Sequence, residues 1–206
     1  MRSKRIGLVT ILGLVACASI ALAGDYTSGF GFGITVPDAY LVLTADEVAE
    51  NAELFLEESK GDVYGRIPSA MRGEVFARVQ RGEIEIFYRT EGVDFDFVDN
   101  VNVMVQRARV PTNQAQLDEI CNVLPEEFSR MFGRPIGLDD CELRAVVGRP
   151  SLYLAFDGAL AGTKTVQYQV QRSAGETLIL TATAKTSNVP RMLGEFEAMV
   201  ASIRPR

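Results

Sequence analysis

TKTVQYQVQRSAGETLILTATA, running from Thr163 to Ala184, is the stretch on which the fold turns. In its first half Val166, Tyr168 and Val170 alternate with Gln167, Gln169 and Gln171. That period of two belongs to a half-buried β-strand. Ala174-Gly175 supplies a turn, and ETLILTATA returns as a second strand. There Leu178, Leu180, Ala182 and Ala184 share one face and Ile179, Thr181 and Thr183 the other. A strand of that composition can be covered on both sides, so the hairpin is expected near the middle of a sheet.

Working outward, Leu152, Leu154 and Phe156 mark the strand before the hairpin, ended by Asp157-Gly158. Cys141, Leu143, Ala145 and Val147 share a face of another strand. After the hairpin, Ser187-Asn188 reads as a helix cap with Pro190 in the first turn. The stripe of that helix is Met192, Leu193, Phe196, Met199, Val200 and Ile203, and Arg204 and Arg206 fall at its negative end. Upstream, Pro111-Thr112-Asn113 opens a long helix with the stripe Leu117, Ile120, Cys121, Leu124, Phe128 and Met131. Pro125 is expected to kink it or to start a second helix.

The N-terminal half repeats the theme. Val101, Val103 and Val105 form a strand after the acidic loop EGVDFDFVDN, and Ile84, Ile86 and Tyr88 share a face over Glu83 to Arg89. Thr44 with Glu47 makes a capping box for a helix over Ala45 to Ser59, whose outer face is acidic and reads as solvated. Pro68-Ser69 opens another helix, with Met71, Val75, Phe76 and Val79 inward and Gly82 at its end. Phe30, Phe32, Ile34 and Val36 alternate with glycines, which suits either a strand that another backbone approaches closely or a flexible lead-in. Gly24 to Ser28 reads as a short tether. The sum is an α+β fold: a central antiparallel sheet of about six strands flanked by helices, an α/β/α sandwich.

Met1 to Ala23 is expected to be a signal peptide. Arg2, Lys4 and Arg5 precede the uncharged run Ile6 to Ile20, and Ala21-Leu22-Ala23 offers a cleavage site. Leu14-Val15-Ala16-Cys17 also resembles a lipobox, which would lipidate Cys17. The apolar continuation Ala18 to Ala23 favours soluble export, periplasmic or secreted, with an envelope lipoprotein as the alternative. Residues 24–206 are then one domain.

Three of the 21 basic residues and none of the 27 acids lie in the signal, leaving the mature chain at −9. Such a chain is a poor ligand for nucleic acid or for an anionic membrane surface. There is no histidine, which removes histidine-based triads, metal sites and pH switches. Two cysteines remain in the mature chain, Cys121 and Cys141. In an oxidising compartment they are expected to pair, the rival reading being two buried thiols. Cys121 shares its helix stripe with Leu117 and Leu124, and Cys141 starts the face of Leu143 and Ala145, so both should point into one layer.

FGFGITVP (30–37), FVDNVNVMV (97–105), the 163–184 hairpin and the closing FEAMVASIR (196–204) together resemble the PsbP/Mog-like superfamily, in particular its small exported, DcrB-like bacterial members. The resemblance implies the same sheet-and-helix architecture and a non-enzymatic role. Photosynthetic members stabilise a membrane complex, Mog proteins bind a small GTPase, and exported bacterial members are envelope lipoproteins. It therefore implies a protein-binding or assembly factor whose partner is another envelope or membrane-associated protein. No cofactor and no nucleic acid are implied, and the membrane is reached only through a lipid anchor. The stretch Ala45 to Gly82 is longer than the family suggests, and no partner-binding residue carries over.

Among local sites, Asp94, Asp96 and Asp99 could offer hard oxygen ligands to Ca²⁺, although the spacing is not that of an EF-hand. Asp and Asn also serve as ordinary turn residues. Asp139, Asp140 and Glu142 form a weaker cluster. A carboxylate-dependent periplasmic hydrolase and a calcium-binding accessory protein are the alternative functions. Lys60, Lys164 and Lys185 are the only mature lysines, and none sits in a serine–lysine motif. The Gln167, Gln169 and Gln171 ladder is either a polar contact surface or a solvated strand face.

Overall fold

The computed structural model describes residues 24–50, 69–92 and 97–205. The predicted signal segment with Cys17, the predicted continuation of the first helix to Ser59, and Asp94 and Asp96 lie outside them.

Seven strands form the main sheet in the order β3-β4-β5-β9-β8-β7-β6. These are β3 (Tyr40–Leu43), β4 (Glu85–Arg89), β5 (Asn100–Gln106), β6 (Leu138–Val146), β7 (Arg149–Asp157), β8 (Thr163–Ser173) and β9 (Glu176–Lys185). All neighbours are antiparallel. The hairpin is β8–β9, and β9 is central, paired with β5 on its other side. The sheet thus has one strand more than the sequence suggested, because the short segment Tyr40–Leu43 adds to β4.

The first face carries Phe87, Val101, Val103, Val166, Tyr168, Leu180 and Ala182. It is covered by α4 (Val189–Ala201), whose Met192, Phe196, Met199 and Val200 are all buried. Beside α4 lies a second sheet of three strands, β1 (Gly24–Ser28), β2 (Phe32–Val36) and β10 (Arg204–Pro205). Gly24–Ser28 is therefore a strand, not a tether. Gly31, at φ 78°, closes the turn, with its N–H donating to the Ser28 carbonyl. A left-handed residue is needed there, and glycine takes it without a Cβ clash. Gly33 gives the close approach its bareness allows: Arg204 lies opposite, and a Cβ on Gly33 would sit 3.4 Å from Arg204 Nε.

The second face is covered in two places. Under α1 (Ala45–Glu50) and α2 (Ser69–Gln80), Leu43, Ile86 and Tyr88 meet Val48, Phe76 and Val79. Under α3 (Gln114–Phe132), Leu152, Leu154 and Phe156 meet Leu117, Leu124 and Phe128. Asn113 caps α3 by accepting from Gln116 N–H, and Gly133 ends it at φ 67°. One helix runs through Pro125 with no second start. Phe132, not Met131, completes its buried stripe; Met131 is exposed. A Cys121–Cys141 disulfide, with Cα atoms 5.9 Å apart, ties α3 to β6.

Three further local readings change. Val147 leaves the strand and turns the β6–β7 hairpin at φ 49°, followed by Gly148 at 73°. Asn188 makes no cap for α4; its side chain turns toward Asp99 instead. Arg204 serves β10 and pairs with Asp25 rather than with the end of α4.

Candidate interaction surface

One row of side chains crosses the second face of the sheet in register: Leu43, Ile86, Asn102, Thr181, Gln167, Leu154, Cys141. Its ends are apolar and lie beneath helices, and its middle is polar. The row on one side repeats this with Asn100, Thr183 and Thr165, while on the other side Gln169 is followed across the sheet by the apolar Ile179 and Met104. The result is a trough floored by β5, β9 and β8 and banked by the two helical layers. Asn100, Asn102, Thr181, Thr183, Gln167 and Gln169 are all half-buried.

The floor is preorganised. Gln169 Nε2 donates to Gln167 Oε1 at 2.7 Å, and Gln167 Nε2 donates to Thr181 Oγ1 at 2.9 Å. The Thr165 and Thr183 hydroxyls lie 3.2 Å apart, and Asn100 Nδ2 donates to the Val98 carbonyl. The Asn102 amide has no protein partner among the described residues. One end is bounded by the connection into α3, where Thr177 Oγ1 donates to the Ala108 carbonyl and Val110 N–H donates to Gln171 Oε1. Beyond it opens a groove of about 680 Å³ lined by Arg109, Gln116, Ile120 and Gln171. Such a floor offers amide donors and acceptors and little net charge. A covering surface must match them, since an amide buried without a partner costs about 1–3 kcal/mol.

Among the described residues, the buried and half-buried carboxylates Glu85, Asp99 and Glu195 are all engaged. Glu195, on α4, receives Arg89 in a two-pronged pair, Nη2 to Oε1 at 3.0 Å and Nε to Oε2 at 3.1 Å, while Tyr40 OH donates to Oε2 at 2.7 Å. Arg89 also donates to the Glu91 carbonyl. Burial pushes the Glu195 carboxyl up, but the hydrogen bonds from Arg89 and Tyr40 outweigh it and hold the pKa below the usual range. Burial and the Glu195 hydrogen bond raise the Tyr40 phenol. Glu85 accepts from Ser28 Oγ, Tyr26 OH and Gly29 N–H, all within 3.0 Å, and so fastens the small sheet to β4. These groups act as clamps between layers.

Asp99, the described member of the predicted calcium set, is 1% exposed. It pairs with Arg191 at 3.0 Å and accepts from Lys185 N–H and Asn188 Nδ2. Its oxygens are thus aimed at α4 and β9. In the weaker cluster, Asp139 pairs with Lys164 and Glu142 with Arg144. Lys164 also pairs with Asp157 at 2.8 Å. Sequence reading passed over Glu85, Arg89 and Glu195, because polar residues alternating with apolar ones are ordinarily assigned to solvent. The available signal was two charges flanking Phe87 in a strand next to the sheet edge.

No protein-family model and no curated protein matches the chain. Solved structures do. Cyanobacterial PsbP from Synechocystis aligns over 95% of this chain and 99% of its own, at 10% identity and a TM-score of 0.54. LpqN, involved in cell envelope biogenesis of Mycobacterium tuberculosis, aligns over 88% and 90% at 14% identity and a TM-score of 0.49. The Ran-binding protein Mog1p of Saccharomyces cerevisiae aligns over 89% and 96% at 7% identity, also at 0.49. With seven antiparallel strands, helices on both faces and this likeness to PsbP over nearly its whole length, the chain has the PsbP/Mog-like α+β fold.

Proposed function

We propose that the protein is a non-enzymatic exported accessory factor that docks another protein of the bacterial envelope through the polar trough of its second sheet face. The observation that carries this is the placement of Asn102, Thr181, Gln167 and Gln169 half-exposed at the centre of the sheet, between two apolar banks. A sheet centre is normally the most apolar part of such a sandwich. Here it presents fixed amides suited to a partner's backbone or polar side chains. The ion pairs and hydrogen bonds that engage Glu85, Asp99 and Glu195 support binding over carboxylate catalysis, and the Glu195 carboxyl is held below the usual range where a catalytic acid needs a raised pKa. The disulfide fits an oxidising compartment and so supports export of the mature chain from Gly24 or Cys17.

The test is site-specific photo-crosslinking in cells from Asn102 and from Gln169, with Val123 on the outer side of α3 as control. A discrete protein adduct from the trough positions, absent from Val123 and lost with Gln167→Glu, is the expected result. Equal labelling from all three positions overturns the docking reading. An unprocessed chain in the cytoplasm overturns export.

A further inference from the structure

At the opposite side of the molecule from the disulfide layer, the first face ends in a small cavity. It has a volume of about 150 Å³. Its walls include Val146, Val170, Leu178 and Ile203, each at most 6% exposed. Arg149 and Arg172 line the same cavity. We infer that this cavity binds a small apolar carboxylate, its hydrocarbon body between the four aliphatic walls and its carboxylate between Arg149 and Arg172. This does not rest on the trough reading, which concerns the other face of the sheet.

Three observations carry it. First, the two guanidinium groups are positioned but not neutralised. Arg149 Nη1 donates to the Arg172 carbonyl at 2.7 Å, and Arg172 Nη2 lies over Gly31, where a Cβ would come within 3.2 Å. Neither arginine has a carboxylate partner among the described residues. The neighbouring arginines differ: Arg144 pairs with Glu142 and Arg204 with Asp25. In a mature chain of charge −9, two uncompensated arginines on one apolar cavity form a local anion site, and guanidinium matches carboxylate with paired N–H donors. Second, the size selects the body: an apolar cavity of about 150 Å³ accommodates a benzene-sized group, or about six carbons. Third, the rim is built at a conformational cost. Val147, a β-branched residue, holds φ 49° and lines the cavity, where Asn or Gly would serve the turn better. Backbone strain of this kind collects at binding sites.

The ligand can be a free short-chain acid or a peptide's C-terminal carboxylate with an aliphatic side chain. The test follows methyl and amide NMR shifts of the mature protein titrated with acetate, hexanoate, hexanol and two forms of a short peptide ending in leucine, free acid and amide. Hexanoate is expected to shift Val146, Val170, Leu178 and Ile203 and to bind at least about tenfold tighter than acetate or hexanol. Arg149→Gln and Arg172→Gln should each weaken hexanoate about tenfold with the amide spectrum otherwise intact, while Arg109→Gln leaves it unchanged. If the free-acid peptide outbinds hexanoate and its amide, a chain terminus is the natural source; if hexanoate is tighter, a free acid is. Equal binding of hexanol and hexanoate, shifts confined to other residues, or affinity unaltered in both arginine variants overturns the site.

Discussion

Val147 shows what a single backbone angle contributes. Its φ of 49° places a β-branched side chain where L-residues clash with their own backbone, at about 1–2 kcal/mol. Val147→Asn should therefore stabilise the protein by about 1 kcal/mol, read as a rise of about 2–4 °C in the thermal midpoint. The Arg89–Glu195–Tyr40 cluster is the converse case. Arg89 is 8% exposed at its side chain, and removing its counter-charge leaves it stranded. Glu195→Gln should cost about 3 kcal/mol by urea denaturation, whereas surface changes such as Glu127→Gln should be near neutral. Asp99 is held by Arg191, Asn188 and a backbone N–H. Calorimetric titration with calcium should accordingly show no micromolar site; a micromolar site abolished by Asp96→Ala would contradict this.

At the scale of elements, α3 is shallowly embedded for its 19 residues. Of its residues only Leu117 is fully buried, and the helix lies over the edge strand β6 and its neighbour β7. The Cys121–Cys141 bond compensates. By the chain-entropy model, a loop of 20 residues contributes about 3 kcal/mol. Cys121→Ser should lower the thermal midpoint by about 6–12 °C while leaving the circular-dichroism spectrum and partner crosslinking from Asn102 intact at low temperature. Loss of crosslinking in the folded variant would mean that the bond shapes the trough. The exposed edge of β6 is guarded by Glu142 and Arg144, charges that discourage pairing with a second sheet.

At the scale of the whole molecule, charge sets the response to pH. Glu195 and Asp157 both have pKa values lowered in the fold, Asp157 by hydrogen bonds from Lys164 and Gly137 N–H. A carboxyl whose folded pKa lies below its unfolded value adds stability that is complete above the unfolded value, near 4.5 for Glu195, and is lost as pH falls through the folded one. Urea midpoints should be flat from pH 6 to 8, where the absence of histidine leaves no side chain of ordinary pKa to titrate, and should fall below about pH 4.5. Glu195→Gln should make that acid slope shallower.

The period-two runs of the chain determined the strands. Val166, Tyr168 and Val170 face the core, and the stripe of Met192, Phe196, Met199 and Val200 follows from helical spacing alone. Local sterics and apolar periodicity suffice for that, as they do for placing Cys121 and Cys141 in one layer. What no local pattern held was neighbourhood. Gly24–Ser28 became a strand only because β2 lies beside it, and Glu85 and Arg89 became interior, with Glu195 half-buried against Arg89, only because their partners arrive from positions 28, 40 and 195. The trough has the same origin. Gln167, Gln169 and Asn102 look like solvent-facing residues on separate strands until the order β5-β9-β8 sets them side by side between two helical banks. Burial and hydrogen-bond partnership are properties of several segments at once, so the alternation fixed each strand's two faces while the tertiary arrangement decided which polar face would be covered, clamped or left half-exposed.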